Sequence, residues 1–303
     1  MNRFKLENRL EVSRISIGAD HFGTAIDRDT AFYILDAYTD MGGNFVDTAN
    51  IYGKWVDGAG NASEKCLGEW LKSRKKDIVI ATKGAHYNFD APHIMRLSKA
   101  EIGADLDESL MALNKECVDL YWLHRDDTSR EIGEILEALE DFKRDGKIFL
   151  YGASNFTAKR LFEAREYAIK HGITGFSAVS NQHSAATLNR GCNTNPDPTL
   201  VIHGENEERF HIETGTPLIP YQSTARGYFA KMSAGVSVSP QLIKAYDNEE
   251  TRVTYKKVLE LAEAKSCSVQ AASLLYLMNA PYPILPITSV RNAKMLEEIR
   301  DLL

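Results

Sequence analysis

Short apolar runs recur eight times along this chain, separated by longer amphipathic segments. They are RISIG (14–18), NFVD (44–47), DIVIATK (77–83), VDLYWLH (118–124), IFLYGAS (148–154), FSAVSN (176–181), TPLIPYQ (216–222) and PILPIT (283–288). Runs this short have the length of buried strands, and the intervals between them leave room for helices. The clearest interval is 98–114, where Leu106, Leu110 and Leu113 recur at helical spacing and Ser98 with Glu101 forms a capping box at the start. Residues 131–145 and 157–171 read likewise, the second with Thr157 as its N-cap. Strand and helix alternate without a flexible linker, which predicts one parallel α/β domain over 1–303. Eight units predict a (β/α)8 TIM barrel rather than an open doubly wound sheet, and no G-x-G-x-x-G follows the first strands. The pattern breaks at 186–211, polar and rich in Asn and Pro, which reads as a long loop leading into a short helix near 205–214.

Length alone is undecided, since 303 residues suit two ordinary domains or one such barrel. With 44% hydrophobic and 26% charged residues the chain predicts a compact globular protein rather than a disordered one. A net charge of -6 argues against nucleic acid as a partner and for a small-molecule ligand. No apolar window approaches the roughly 18 residues of a membrane span, and no secretion signal is visible, so a cytoplasmic location without membrane attachment is the default expectation. Cys66, Cys117, Cys192 and Cys267 lie far apart with no metal-ligand spacing, and are expected to be reduced and mostly buried, with no metal bound. Nothing in the sequence sets an oligomeric state.

In a barrel the carboxyl ends of all the strands meet at one rim, so polar strand-end residues converge there. Asp47, Lys83 and His124 end the second, third and fourth strands, and Tyr52 lies five positions beyond Asp47. Singly, each has an ordinary structural role: a cap or turn for Asp47, a packing aromatic for Tyr52, a snorkelling lysine, a satisfied histidine. Together they suit carbonyl reduction, in which the oxygen gains charge and must receive a proton. Tyr52 is the expected donor, with Lys83 expected to lower its pKa from near 10. Asp47 is the counter-ion that keeps Lys83 charged, and a neutral His124 hydrogen-bonds the substrate oxygen. A hydrolase or lyase using Asp47 and His124 as acid and base is the unrelated-barrel alternative.

At these residues the chain resembles the aldo-keto reductase family, in FVDTANIYG, GNASEKCLGEWL, IATKG and DLYWLHRDD, and then in YGASNF, SNQHS and YQSTARGYF. The resemblance runs nearly the whole length and implies an NAD(P)H-dependent barrel oxidoreductase that reduces an aldehyde, ketone or sugar-like carbonyl to an alcohol. By motif it carries the catalytic tetrad to Asp47, Tyr52, Lys83 and His124, and nicotinamide contacts to Ser154, Asn155, Gln182 and a stacking Tyr221. It carries the pyrophosphate segment to Gln222, Ser223, Ala225 and Gly227, although QSTARG departs from the family's commoner SPLARG-like wording. Ser289, Arg291 and Lys294 match the positions that receive an adenosine 2′-phosphate, and Glu298 the adenine contact. Those cations favour NADP(H). NAD(H) stays open, because Thr288 stands near the family's usual lysine position. His21, Phe22, Trp55 and the loop 185–211 are the expected substrate-lining residues. Some family members serve chiefly as cofactor-sensing subunits of channels, a role disfavoured by the intact tetrad. Asp20 has no role in this reading.

Overall fold

A three-residue loop, Glu7 to Arg9, with both Glu7 and Asn8 at positive φ, folds the start of the chain into an antiparallel hairpin, β1 (Arg3–Leu6) and β2 (Leu10–Ser13). The structure is a computed structural model and describes residues 3–303. Then come β3 (Ser16–Gly18), α1 (Arg28–Asp40), β4 (Phe45–Asp47), α2 (Ala62–Arg74), β5 (Val79–Gly84) and α3 (Lys99–Leu113). The alternation continues through β6 (Val118–Leu123), α4 (Ile132–Arg144), β7 (Ile148–Ser154), α5 (Ala158–His171), β8 (Val179–Ser180) and α6 (Glu205–Thr214). Four helices, α7 (Tyr228–Ser233), α8 (Pro240–Tyr246), α9 (Glu249–Lys265) and α10 (Val269–Met278), precede β9 (Ile287–Ser289) and α11 (Ala293–Glu297). The capping box at Ser98 and the Thr157 cap both form.

Strands β3 to β9 make a parallel sheet in the order β8-β7-β6-β5-β4-β3-β9. The remaining strand position is filled by residues near Leu218, which bridge Val179 on one side and Ile284 on the other, so the ring closes as a (β/α)8 barrel. This stretch and the start of the last strand pair only residue by residue. Pro217, Pro220, Pro283 and Pro286 remove ladder donors there, which is why the runs TPLIPYQ and PILPIT shrink to bridges and a short strand.

The barrel interior is filled by Phe45, Val79, Leu120, Trp122, Leu150 and Leu285, with Leu6 and Val12 of the hairpin packed against them. The hairpin therefore plugs one end and leaves the carboxyl-end rim to the loops. A larger layer, including Ile17, Leu35, Leu67, Leu106, Leu139 and Leu161, joins the outside of the sheet to the helices, and α7 to α10 hold a smaller cluster around Phe229, Tyr246 and Val258. All four cysteines are free; Cys66 is buried, but Cys117, Cys192 and Cys267 are half-buried, less enclosed than expected. Among the described residues no helix is long and apolar enough to cross a membrane.

Candidate active site

Parallel register carries the strand ends to one level: Asp47 lies beside Gly18 on one side and Ala81 on the other, and Lys83 beside Trp122. The amide of Asn50 donates to Lys83's carbonyl at 2.9 Å and that of His124 to Gly84's at 2.8 Å, so the loops begin in fixed directions. Tyr52 is held by its own loop. Gly53 follows it at φ 109, and a Cβ there would come within 2.7 Å of the Ala62 nitrogen and the Gly60 oxygen. Only glycine suits that turn. Lys54 Nζ donates to Asn50 at 2.7 Å and to Glu108 at 2.8 Å, tying the loop to α3.

The four residues meet. Lys83 Nζ is paired with the Asp47 carboxylate, donates to the Thr48 carbonyl at 2.8 Å and lies 3.4 Å from the Tyr52 hydroxyl. The His124 ring stands edge-on to Tyr52, centroids 5.9 Å apart. Asp47, Lys83 and His124 are buried. Burial pushes the Asp47 carboxyl up against the pull of Lys83, and pushes the Lys83 ammonium down against the pull of Asp47. Burial also drives His124 well below its ordinary value, helped by the charge of Arg125, so its ring is neutral.

Tyr52 departs from the expectation. Its pKa is raised, not lowered: burial disfavours the phenolate, and the carboxylates of Asp47 and Asp20 add to the effect. Lys83 does not reverse this because its charge is already answered by Asp47 at hydrogen-bond distance. The phenol is thus protonated throughout the neutral range, the state a proton donor requires.

Losing one member of this buried pair strands the other. Lys83→Met is expected to destabilise the fold by about 3–5 kcal/mol, and the double variant Asp47→Asn/Lys83→Met by less than Lys83→Met alone. Urea unfolding measures both; a double variant weaker than the single would contradict the pairing.

Of the nicotinamide candidates, Gln182 is the one left open: both its amide nitrogen and oxygen are buried without a partner. That is the observation by which these residues fit a carboxamide, which offers a complementary donor and acceptor. Ser154 donates to the Ser180 carbonyl at 2.7 Å. Asn155 is saturated, its amide nitrogen on the His124 carbonyl and Ser154 hydroxyl, each at 3.1 Å, its oxygen accepting from the Val201 amide and, at 2.6 Å, from Tyr221. Gln222 accepts from Thr194 at 2.8 Å and Ser223 donates to the Pro220 carbonyl at 2.8 Å, so both side chains are already engaged by the protein. Gln222, Ala225, Arg226 and Gly227 all have positive φ, a tight turn leading into α7. Arg291, Lys294 and Glu298 are exposed around α11, while Ser289, exposed at the end of β9, is in register with Gly18, the neighbour of Asp47; among the described residues neither Arg291 nor Lys294 has an acidic partner.

At the rim, Trp55 lies 5.9 Å from Tyr52 and 6.3 Å from His21, ring to ring, and is 45% exposed. Phe22, expected at the rim from its place after the first strand, is instead fully buried in the layer between sheet and helices. In the HF pair His21 faces the rim and Phe22 the core, a choice that the sequence pattern leaves open. His86, 4.8 Å from His124, and the half-exposed Phe89 beyond it also border the site, unmarked by any spacing signal.

A further network was not legible in sequence. Arg125 is buried and donates to the His124 carbonyl at 2.8 Å, to Thr199 at 2.7 Å and to Asp197 at 2.9 Å. Asp197 also accepts from Tyr87 at 2.9 Å. Arg125 thereby pins the long loop, 72 positions away, against the end of β6. The one available signal was a charged residue, Arg125, directly after His124.

A closed parallel barrel with an acid, a lysine, a phenol and an imidazole gathered at its carboxyl-end rim defines a class, the (β/α)8 barrel oxidoreductases. The chain belongs to the Aldo/keto reductase family, which matches residues 14–303. It is 26% identical to norsolorinic acid reductase stcV of Emericella nidulans, over 95% of this chain and 73% of the relative. It is 30% identical to the uncharacterized oxidoreductase YrpG of Bacillus subtilis, over 96% and 86%, and 30% identical to norsolorinic acid reductase B of Aspergillus parasiticus, over 93% and 74%.

Proposed function

We propose that this chain is a single-domain carbonyl reductase that uses NADP(H), with Tyr52 as the proton donor. The observation that carries the reading is the chain of contacts Asp47–Lys83–Tyr52, with His124 edge-on to the phenol. When bound, the nicotinamide cofactor supplies hydride to the carbonyl carbon. Tyr52 and His124 meet the charge that grows on the oxygen: the neutral imidazole donates a hydrogen bond and the phenol transfers its proton. Lys83 then stabilises the phenolate left behind, and Asp47 keeps Lys83 in place.

Gln182, with Ser154 and Asn155 beside it, holds the carboxamide, and Tyr221 screens one face of the ring. Engaging Asn155 requires exchange of one of its present bonds. The backbone turn at Gln222, Ser223, Ala225 and Gly227 faces the pyrophosphate. The 2′-phosphate falls to Arg291 and Lys294, the adenine to Glu298, and the Ser289 hydroxyl stays on the Asp20 carboxylate. His21, Trp55 and the loop 185–211 border the substrate, and their rings suit a partly apolar aldehyde or ketone. Two of the relatives are named as reductases of norsolorinic acid, which agrees with a carbonyl substrate of some size.

Fluorescence titration with NADPH and NADH tests the cofactor. NADPH is expected to bind more tightly, and Arg291→Ala to narrow the difference by at most about fivefold, since one exposed cation contributes less than about 1 kcal/mol. Oxidation of NADPH with a panel of aldehydes and ketones tests the activity; no turnover on any of them would defeat the proposal.

A further inference from the structure

We infer that Asp20 sets the charge selectivity of the proposed carbonyl site, favouring neutral substrates and turning away those that carry a carboxylate near the reacting group. The inference rests on the reductase reading and concerns a residue which that reading leaves unused.

Asp20 lies two positions beyond Gly18, the residue in register with Asp47 on one side and Ser289 on the other. Its carboxylate accepts from the Ser289 hydroxyl at 3.4 Å and lies 3.5 Å from His21 Nε2. His21 in turn meets Trp55, and Trp55 meets Tyr52, so Asp20 belongs to the wall that an incoming carbonyl passes. It is 37% exposed, open enough for a substrate to feel its charge.

The buried charges of the site are answered: Lys83 by Asp47, Arg125 by Asp197. Lys54, on the Tyr52 loop, is answered by Glu108. Asp20 has no Lys or Arg partner among the described residues, only His21. Its field reaches the tetrad, opposing ionisation of Tyr52 and Asp47 and favouring the ammonium of Lys83. A substrate carboxylate would meet this negative charge, which among the described residues has no Lys or Arg to answer it, and Arg125, beside His124, is already paired with Asp197, with each of its guanidinium nitrogens donating to His124, Thr199 or Asp197. At an effective dielectric near 20, a like charge several ångströms away suppresses an anion's binding by roughly tenfold or more.

The test uses a pair matched in shape and different in charge, meta-formylbenzoate and its methyl ester, as substrates of the full chain with NADPH. Wild type is expected to favour the ester in kcat/KM. In Asp20→Asn the ester-to-acid ratio should fall by about tenfold, in the charge-keeping Asp20→Glu it should stay high, and added salt should lower it in wild type. A ratio unchanged in Asp20→Asn, with ester turnover intact, overturns the inference and leaves the reductase reading standing. Loss of ester turnover in Asp20→Asn with wild type active overturns it too, because Asp20 would then serve the chemistry itself. Wild type inactive on both compounds, and on other neutral carbonyls, defeats the reductase reading and the inference with it.

Discussion

Tyr52→Phe is expected to lower kcat for carbonyl reduction by roughly a hundred- to ten-thousandfold, the range attributed to a positioned proton donor. The substitution keeps the ring that packs against Trp55 and His124 and removes only the hydroxyl 3.4 Å from Lys83 Nζ. Cofactor affinity and folding should therefore be nearly unchanged. Single-turnover oxidation of NADPH separates the chemical step from release, and titration of the variant with NADPH checks binding. A variant that turns over at the wild-type rate would remove Tyr52 as the acid. Because the phenol is held protonated by burial and by the carboxylates of Asp47 and Asp20, the wild-type rate should show no loss from its ionisation through the neutral range.

Acid should unfold this protein early. His86, His124, His203 and His211 are all buried. Burial pushes His86 and His211 from 6.5 down to about 4, His203 to about 2, and His124 well below its ordinary value. A histidine depressed in the folded state takes up its proton first in the unfolded chain. Its contribution is full above about pH 6.5 and is lost as pH falls toward the folded-state value, at about 1.4 kcal/mol per pH unit for each group. His86 and His211 alone make the loss several kcal/mol by about pH 4. Glu64, buried and pushed up, offsets part of it, since its penalty is relieved by protonation. Urea midpoints measured between about pH 7.5 and pH 4.5 report this; a flat profile would mean that these imidazoles gain protons without unfolding, contrary to their burial.

The barrel was legible because eight apolar runs survive as a periodic signal however the helices between them vary. Its last strands were harder: the prolines that interrupt TPLIPYQ and PILPIT are visible, but that the interrupted backbone still closes the ring is a matter of long-range pairing. The opening hairpin carries no turn signal in sequence, because Glu7 and Asn8 adopt the left-handed conformation without the Asn-Gly or Asp-Gly that usually announces such a turn. Asp47, Lys83 and His124 were readable as polar residues ending apolar runs. The Arg125–Asp197 pair was not, since Asp197 lies in an aperiodic segment whose partner is fixed only by folding.

By itself the sequence determined which side chains stand at the strand ends, for each is set by a local break in an apolar run, and parallel strands of a barrel must end at one rim. Tertiary structure alone decided their ionisation and company. Whether Lys83 lowers the pKa of Tyr52 depends on distances and burial in three dimensions. There, Asp47 answers the ammonium at contact and burial holds the phenol protonated. The same reason separates His21 from Phe22, neighbours in sequence but placed by packing on the rim and in the core.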